Sequence, residues 1–177
     1  AKTGAAEVNR KPGAELNPDW ENGIPQFGAY PGAEVANNVF FGGDLWGVAE
    51  RLDYMASMGA GTIYLSPVFT AASNHKYDTS DYLSVDPMFG GDKALEHLCR
   101  KAKEYGIRVI LDGVFNHTGS QSIYFNEDGF YPTLGAAQSK DSPYYDWFQW
   151  KHWPDDFESW WGIKPLPAVE ESNPDYI

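Results

Sequence analysis

The chain repeats one order of features twice, and this repeat limits what it can fold into. A helical pattern that ends at Gly59 precedes the short apolar run Thr62–Leu65. A second helical pattern that ends at Gly106 precedes the apolar run Ile107–Leu111. Both runs are mostly apolar rather than alternating, which is typical of parallel strands covered on both faces. The sequence therefore predicts an α/β fold built of helix–strand repeats.

Each predicted helix also carries a start signal. Asp44 precedes the first helical pattern as a candidate N-cap, and Asp92 opens the second. Glu96 and Arg100 stand four residues apart on the second helix, a spacing that allows an ion pair. Because two strands can neither close a barrel nor complete a doubly wound sheet, we expect this regular part to be an excerpt of a larger domain.

Two stretches without a sustained period flank the regular part. Residues 1–43 are rich in Gly, Pro, Asn and Ala, which predicts an irregular loop region. Residues 112–177 are rich in turn residues and aromatics, and five of the seven tryptophans lie in Asp146–Trp161. These rings could stack on sugars or form the core of a small irregular subdomain that has few aliphatic residues. We expect most of them to form a core and one or two to face a substrate groove.

Charge and cysteine content exclude several classes of partner. The formal net charge of −12 disfavours nucleic acid and anionic membranes, since both attract clustered Lys and Arg, and it favours a neutral ligand. A single cysteine, Cys99, cannot form an internal disulfide, so nothing requires an oxidising compartment. Residues 1–10 lack the pattern of a secretory leader. These features favour a cytoplasmic protein.

The strongest candidate for a functional site follows the second predicted strand. Asp112 ends that strand, and Asn116 and His117 follow four and five residues later. These positions lie at the carboxyl edge of a parallel sheet, where α/β barrels place their active sites. A lone Asn–His pair is more often a turn beside an ordinary histidine, so the pattern alone leaves both interpretations open.

This segment and three others resemble one known family. The run Leu111–Thr118 is similar to the first signature region of the α-amylase superfamily, glycoside hydrolase family 13. The Phe at position 115, before Asn116 and His117, resembles the residue found there in the neopullulanase and cyclomaltodextrinase branch. Two further stretches, Ser73–Tyr82 together with Val85–Gly90 and the run Phe40–Gly47, resemble other segments of that family. A fourth stretch, Leu166–Pro174, resembles another such segment more weakly. In the last of these, Glu170 stands where the family usually has Asn. The resemblance extends over residues 39–177.

The resemblance implies a fold and an activity. The implied fold is a partial (β/α)8 TIM barrel, from helix 1 to strand 3, in residues 1–111, followed by the irregular inserted domain between strand 3 and helix 3 in residues 112–177. The implied parent protein is a glycoside hydrolase that cleaves α-1,4 glucosidic bonds, or alternatively α-1,6 bonds, of maltodextrin, cyclodextrin or pullulan by a retaining mechanism.

The resemblance places the catalytic carboxylates outside this chain. In the family, the nucleophile follows strand 4, the acid/base strand 5 and a further Asp strand 7. Retaining hydrolysis needs the first two of these groups, so we expect the 177 residues alone to be inactive. We interpret Asp155, Asp156 and Glu158 as solvated turn residues rather than as a substitute pair.

The resemblance also implies substrate-binding and supporting residues. Tyr77 would stack its ring on the sugar at the cleaved bond, and His117 would hydrogen-bond the hydroxyls of that sugar. Asn116 would support His117 or reach a calcium ion, and Asp112 would orient an arginine on strand 4.

The resemblance further implies a candidate metal site. Gly42 and Asp44 correspond to calcium ligands in some neopullulanase-like members, and Asn9 alone lies near the place of the other ligands. A helix cap is the favoured role for Asp44. We therefore expect no required cofactor, with calcium as an optional ion.

Two other functions fit the same residues. A non-catalytic carbohydrate-binding protein could keep Tyr77 and His117 without hydrolysis, and a transglycosylase would share the whole site. In each case the expected partner is an α-glucan oligosaccharide or polysaccharide. We also expect the chain to associate with copies of itself or with the rest of its barrel, since both apolar strands would otherwise have an exposed side.

Overall fold

A computed structural model describes residues 14–17, 19, 21–23 and 39–177. The strands and helices follow in the order β1 (Glu15–Leu16), β2 (Val39–Phe40), α1 (Leu45–Ala49), α2 (Leu52–Ser57), β3 (Thr62–Leu65), β4 (Phe69–Ala71), β5 (Thr79–Val85), α3 (Gly91–Glu104), β6 (Arg108–Leu111), β7 (Trp150–His152) and β8 (Asp156–Phe157). Short 3-10 turns cover Pro87–Phe89, Tyr145–Trp147 and Trp160–Gly162.

The chain divides into two compact units. The first unit consists of the described residues of Ala1–Val68, with Ser73–His75 and Ser84–Asp112. The second unit consists of Phe69–Ala72, Lys76–Leu83 and Gly113–Ile177. The division into a barrel part, 1–111, and an inserted domain, 112–177, concerns the complete enzyme and stays a prediction.

The first unit contains the helix–strand repeat that the sequence predicts. Strands β3 and β6 pair in parallel, with Thr62 opposite Arg108 and Leu65 opposite Leu111. The amide of Asp112 extends this ladder by donating to the Leu65 carbonyl at 3.0 Å. The predicted parallel pairing is therefore confirmed.

The helices that precede these two strands end in the same way. Gly106 has a φ of 68°, and the amide of Ile107 donates to the carbonyl five residues earlier at 2.9 Å. Gly59 has a φ of 83°, and the amide of Ala60 makes the corresponding bond at 3.1 Å. Glycine adopts this left-handed conformation without steric cost, so the predicted stops are confirmed. Because Ile107 completes the helix end, β6 begins one residue later than predicted, at Arg108.

The first helical pattern forms two short helices rather than one. As predicted, Asp44 caps α1, and its Oδ1 accepts from the Gly47 amide at 2.8 Å. The amide of Arg51 then donates to the Val48 carbonyl, only three residues back, at 3.0 Å. The backbone of Arg51, at φ −112° and ψ 9°, leaves the helical region before α2 begins. A tight turn therefore interrupts the predicted single helix.

The core of the first unit forms around α3. Ala94, Leu98 and Ala102, which recur at helical spacing along α3, are at most 1% exposed. They cluster with the other buried apolar residues of the unit, namely Leu45, Leu52, Val68, Val85 and Ile107. The predicted pair of Glu96 and Arg100 also forms, with 3.8 Å between charged atoms, but both side chains are largely exposed and the pair adds little stability.

The strands β3 and β6 of the first unit also present a partly exposed apolar face. Tyr64 in β3 is 61% exposed, and its register partner Ile110 in β6 is 48% exposed. Both side chains therefore meet solvent, while their sequence neighbours pack on the core.

The prediction of an unbroken irregular region over residues 1–43 is wrong at four positions. Strands β1 and β2 pair in parallel there, with Glu15 opposite Val39 and Leu16 opposite Phe40. A two-residue strand is too short to show a period, and its partner lies more than twenty residues away in the sequence. Local patterns therefore could not indicate it.

The second unit is built around aromatic rings. Phe125 is fully buried, with its ring centroid 4.9 Å from that of Phe148, 5.4 Å from Trp150 and 4.8 Å from Phe157. Other rings packed in this cluster belong to Tyr82, Tyr124, Tyr144, Trp147 and Tyr176. Aromatic rings bury a large area per residue, which suits a unit with few aliphatic side chains. The core interpretation is confirmed for these rings, whereas Trp161 is 84% exposed.

The acidic residues near the β7–β8 hairpin are exposed, as predicted. Asp155, Asp156 and Glu158 all lie at the surface. Glu158 pairs with Lys151 at 3.0 Å.

In the part of the chain that the structure describes, no helix is long and apolar enough to cross a membrane.

Candidate functional site

Three of the predicted site residues lie together in the second unit. Nε2 of His117 lies 3.0 Å from the carbonyl oxygen of Tyr77, and Nδ1 of His117 lies 2.9 Å from Nδ2 of Asn116. A carbonyl oxygen only accepts and an amide NH2 only donates, so Nε2 carries the proton and Nδ1 accepts. His117 thereby joins two segments that are 40 residues apart along the chain.

The imidazole of His117 is neutral near pH 7. The side chain is 3% exposed, and burial lowers the pKa of His117. The Tyr77 carbonyl and the nearby Asp78 raise the pKa, but by less than burial lowers it. The site therefore presents an uncharged hydrogen-bonding ring, which suits a neutral ligand.

A glycine allows the two segments to approach. The amide of Gly119 donates to the carbonyl of Thr79 at 2.8 Å. A Cβ atom at position 119 would lie 2.6 Å from the carbonyl oxygen of Asp78, closer than carbon and oxygen can approach without contact strain. Any other residue at position 119 would require one of the two segments to shift.

Two tyrosine hydroxyls hold the backbone that carries Asn116 and His117. The hydroxyl of Tyr82 lies 2.6 Å from the Val114 carbonyl and 2.8 Å from the His117 carbonyl, so its one proton is shared between two acceptors. The hydroxyl of Tyr176 donates to the Phe115 carbonyl at 2.6 Å. Burial raises the pKa of Tyr82, which keeps this hydroxyl protonated and able to donate.

A buried lysine holds the loop that leads to Tyr77. Lys76 is 1% exposed, and its ammonium donates to the Ala71 carbonyl at 2.8 Å. Its φ of 64° is uncommon for a residue with a side chain. The ring of Tyr77, by contrast, is 41% exposed. The loop therefore has a fixed base and presents an accessible aromatic ring.

The returning segment Leu166–Val169 flanks the site on another side. The amide of Thr118 donates to the Pro167 carbonyl at 3.1 Å, and the amide of Val169 donates to the Asn116 carbonyl at 3.2 Å. This segment belongs to the weakest of the four sequence matches, and the structure places it directly against the strongest one.

Asn116 also lines a cavity within the second unit. The cavity has a volume of about 850 Å³, and aromatic rings supply much of its wall, among them Tyr82, Phe115, Tyr124, Trp147 and Tyr176. Asn116 therefore stands at the border of an aromatic cavity that is much larger than a water molecule.

The other predicted site residues, Asp112, Gly42 and Asp44, lie in the first unit. Asp112 follows β6 and is half-buried. Its role in orienting an arginine of strand 4 stays a prediction.

Gly42 and Asp44 are the candidate calcium ligands that lie among the described residues. Gly42 has a φ of 71°, and the Asp44 carboxylate acts as the helix cap. Among residues 14–17, 19, 21–23 and 39–177, no group of three His, Cys, Asp or Glu side chains could hold a metal ion, whereas calcium takes 6–8 oxygen ligands. The remaining candidate, Asn9, lies outside the described residues. Calcium binding stays a prediction.

The sequence did not indicate several residues that hold the site together. Lys76 and Tyr82 stand within the run Ser73–Tyr82, where the family resemblance marked the segment without separating their roles. Tyr176 carries no local signal, because it contacts a residue 61 positions earlier. The ring centroid of Trp160 lies 5.3 Å from that of His117. The sequence alone did not distinguish Trp160 from the other tryptophans of this region.

Comparison with known proteins decides the family. The model of the alpha amylase catalytic domain matches residues 11–165. The chain belongs to the α-amylase catalytic domain family. An amylopullulanase from Thermoanaerobacterium saccharolyticum is 45% identical over 173 residues, which cover 90% of this chain and 13% of that protein. An intracellular maltogenic amylase from Bacillus subtilis is 37% identical over 164 residues, which cover 91% of this chain and 26% of that protein.

A solved structure of the family supports the fold. Cyclic α-maltosyl-(1→6)-maltose hydrolase from Arthrobacter globiformis, in complex with maltose, matches with a TM-score of 0.71 and 30% sequence identity, covering 93% of this chain and 37% of that one. The chain thus spans a minor part of the length of its relatives. Its fold is a part of the (β/α)8 barrel of this family with an irregular region, and the described residues do not close a barrel. The predicted fold class and family are confirmed.

Proposed function

We propose that the complete protein containing this chain is an α-glucan hydrolase. Its substrates are maltodextrins, cyclodextrins or pullulan, and it cleaves α-1,4 bonds, with α-1,6 bonds as a second target. One observation carries the proposal: within the segment matched by the α-amylase family, the structure joins an exposed ring, Tyr77, to a buried neutral imidazole, His117. The names of the amylopullulanase and maltogenic amylase relatives support the same substrate class.

The geometry suggests separate roles for the two residues. The exposed ring of Tyr77 can stack against the CH face of a glucose unit. The Nε2–H of His117 points at the Tyr77 carbonyl, so it reaches a sugar hydroxyl only by sharing that proton. His117 therefore positions the Tyr77 backbone in addition to any contact with the sugar, and Asn116 fixes the imidazole tautomer from the other side.

The chemical step needs two carboxyl groups about 5–5.5 Å apart, one as nucleophile and one as acid/base. We assign both to parts of the protein outside these 177 residues, which agrees with the greater length of the relatives. It follows that the chain by itself does not hydrolyse α-glucans. The intracellular relative from Bacillus subtilis supports a cytoplasmic location.

The test uses the complete protein with maltoheptaose, pullulan and β-cyclodextrin. We expect release of reducing sugar, with the product formed first as the α-anomer in proton NMR. Tyr77→Ala and His117→Ala should each lower kcat/KM, whereas Phe130→Ala, which also removes an exposed ring of the second unit, should leave it unchanged.

Three outcomes would each contradict a part of the proposal. Binding of maltoheptaose without turnover would instead identify a non-catalytic carbohydrate-binding protein. Wild-type kinetics in both folded site variants would show that Tyr77 and His117 do not form a substrate site. Turnover by the purified 177-residue chain would refute the assignment of the carboxylates to other parts of the protein.

A further inference from the structure

The most exposed aromatic ring of the second unit stands out from its neighbours. Trp161 is 84% exposed, the highest value among the Phe, Tyr and Trp side chains that the structure describes. Most rings of this unit pack into its core, because burying a large apolar surface is favourable. An exposed indole of this size is therefore unusual for the unit and calls for a reason.

The ring of Trp161 is held in place by a second ring. Trp160 and Trp161 stack with centroids 4.5 Å apart and planes 6° from parallel. Trp160 stacks on one face of the Trp161 indole, and the high exposure of Trp161 leaves most of this flat apolar ring accessible to a ligand. Stacking restricts rotation of the side chain, so a ligand that packs on the outer face loses less free energy to ordering.

The backbone beneath the pair is also fixed. The amide of Trp160 donates to the Leu166 carbonyl at 2.9 Å, and the amide of Ile163 donates back to the Trp160 carbonyl at 3.0 Å. Trp161 itself has a φ of 52°, a left-handed conformation that residues with side chains seldom adopt. Local strain of this kind is retained where the surrounding structure imposes it, often at ligand-binding positions.

The stacked pair is connected to the proposed substrate site. The ring of Trp160 lies 5.3 Å, centroid to centroid, from the ring of His117. His117 in turn holds the carbonyl of Tyr77 at 3.0 Å. His117 therefore contacts both the backbone of Tyr77 and the ring of Trp160, which stacks on Trp161, and all four residues belong to one compact unit.

We infer that Trp161 is a stacking platform for a distal glucose unit of the same α-glucan chain that Tyr77 contacts. The inference rests on the proposed function, because it assigns a further subsite of that site. Pyranose rings present apolar CH faces that pack on a flat indole, and an uncharged sugar suits a strongly acidic chain. Long substrates reach both rings, whereas short ones bound at Tyr77 do not reach Trp161.

The experiment measures chain-length preference in the complete protein. Trp161→Ala should lower the ratio of kcat/KM for maltoheptaose to kcat/KM for maltotriose by about three- to tenfold, the range expected for one lost ring contact. The change should lie in KM rather than kcat. Trp161→Phe should restore part of the ratio, since it keeps a smaller ring. Retardation in an amylose-containing gel gives a readout that does not depend on turnover.

Controls separate failure of this inference from failure of the proposed function. Phe130→Ala should leave the ratio and the gel mobility unchanged. His117→Ala should lower kcat/KM for both substrates. If His117→Ala has that effect while Trp161→Ala keeps the wild-type ratio, the platform inference is refuted and the proposed function stands. If neither variant differs from wild type, the site assignment and the platform inference both fail. If the wild-type protein turns over neither substrate, the proposed function itself fails.

A third outcome would show that the Trp161 indole packs against protein rather than against a sugar. If Trp161→Ala lowers the melting temperature or changes the oligomeric state without altering the ratio, the indole packs against another part of the protein or a second copy. That result would also overturn the inference.

Discussion

Removal of the Tyr82 hydroxyl tests how the site backbone is held. In the variant Tyr82→Phe, the carbonyls of Val114 and His117 both lose the donor they share at 2.6 and 2.8 Å. Both residues are buried, at 7% and 3% exposure, so water does not readily replace the hydroxyl. The variant loses one net hydrogen bond and leaves a buried acceptor unpaired, which should lower the free energy of unfolding by about 1–3 kcal/mol.

The assay is urea-induced unfolding of the complete protein, followed by near-ultraviolet circular dichroism, which reports on the aromatic cluster. Hydrogen exchange provides a local readout. The amides of Thr118 and Val169 bond to the segments around the site, so both should exchange faster in the Tyr82→Phe variant.

The matched control is Tyr144→Phe, which removes a hydroxyl from the same aromatic cluster. The ring of Tyr144 contacts those of Tyr124 and Trp147 and keeps these contacts in the variant. If Tyr82→Phe loses no more stability than Tyr144→Phe, and exchange at Thr118 is unchanged, the Tyr82 hydroxyl does not hold this backbone.

Three further predictions concern the cap, the imidazole and the exposed strand face. Asp44→Ala should cost about 1 kcal/mol of unfolding free energy, whereas Asp44→Asn, which can still cap α1, should cost much less. Because the folded pKa of His117 is depressed, its contribution to stability should be complete above about pH 6.5 and decline as the pH falls below it, in pH-dependent urea unfolding. The 177-residue chain alone should associate in light scattering, and Ile110→Lys, opposite Tyr64, should reduce the associated fraction.

Each of these predictions has its own control. Equal losses for Asp44→Ala and Asp44→Asn would mean that the charge at this position, rather than its capping geometry, stabilises the fold. His117→Gln should remove the decline below pH 6.5, and a decline that persists would belong to other groups. A monodisperse species near 19.8 kDa would refute the role of the exposed strand face in association.

Local signals in the sequence predicted the cap, the stops and the parallel strand pair of the regular part, but not the tight turn that separates α1 from α2. Asp44 as a cap and Gly59 and Gly106 as stops were predicted because capping and positive φ depend on a few adjacent residues. The apolar runs predicted parallel strands, since burial on both faces leaves a pattern in the strand itself. The motifs around Tyr77 and His117 identified the family for the same reason, because each is a short contiguous run.

Long-range packing determines which of these residues meet and which rings are exposed. Nothing near Tyr77 in the sequence indicates that its carbonyl accepts from His117, because that contact depends on the close approach at Gly119. The sequence also gives no signal that separates Trp150 from Trp161. In the structure, Trp150 packs against the core and Trp161 is 84% exposed. The exposure of a ring depends on which residues, distant in the sequence, pack against it. An irregular chain has no sequence period that would predict these contacts.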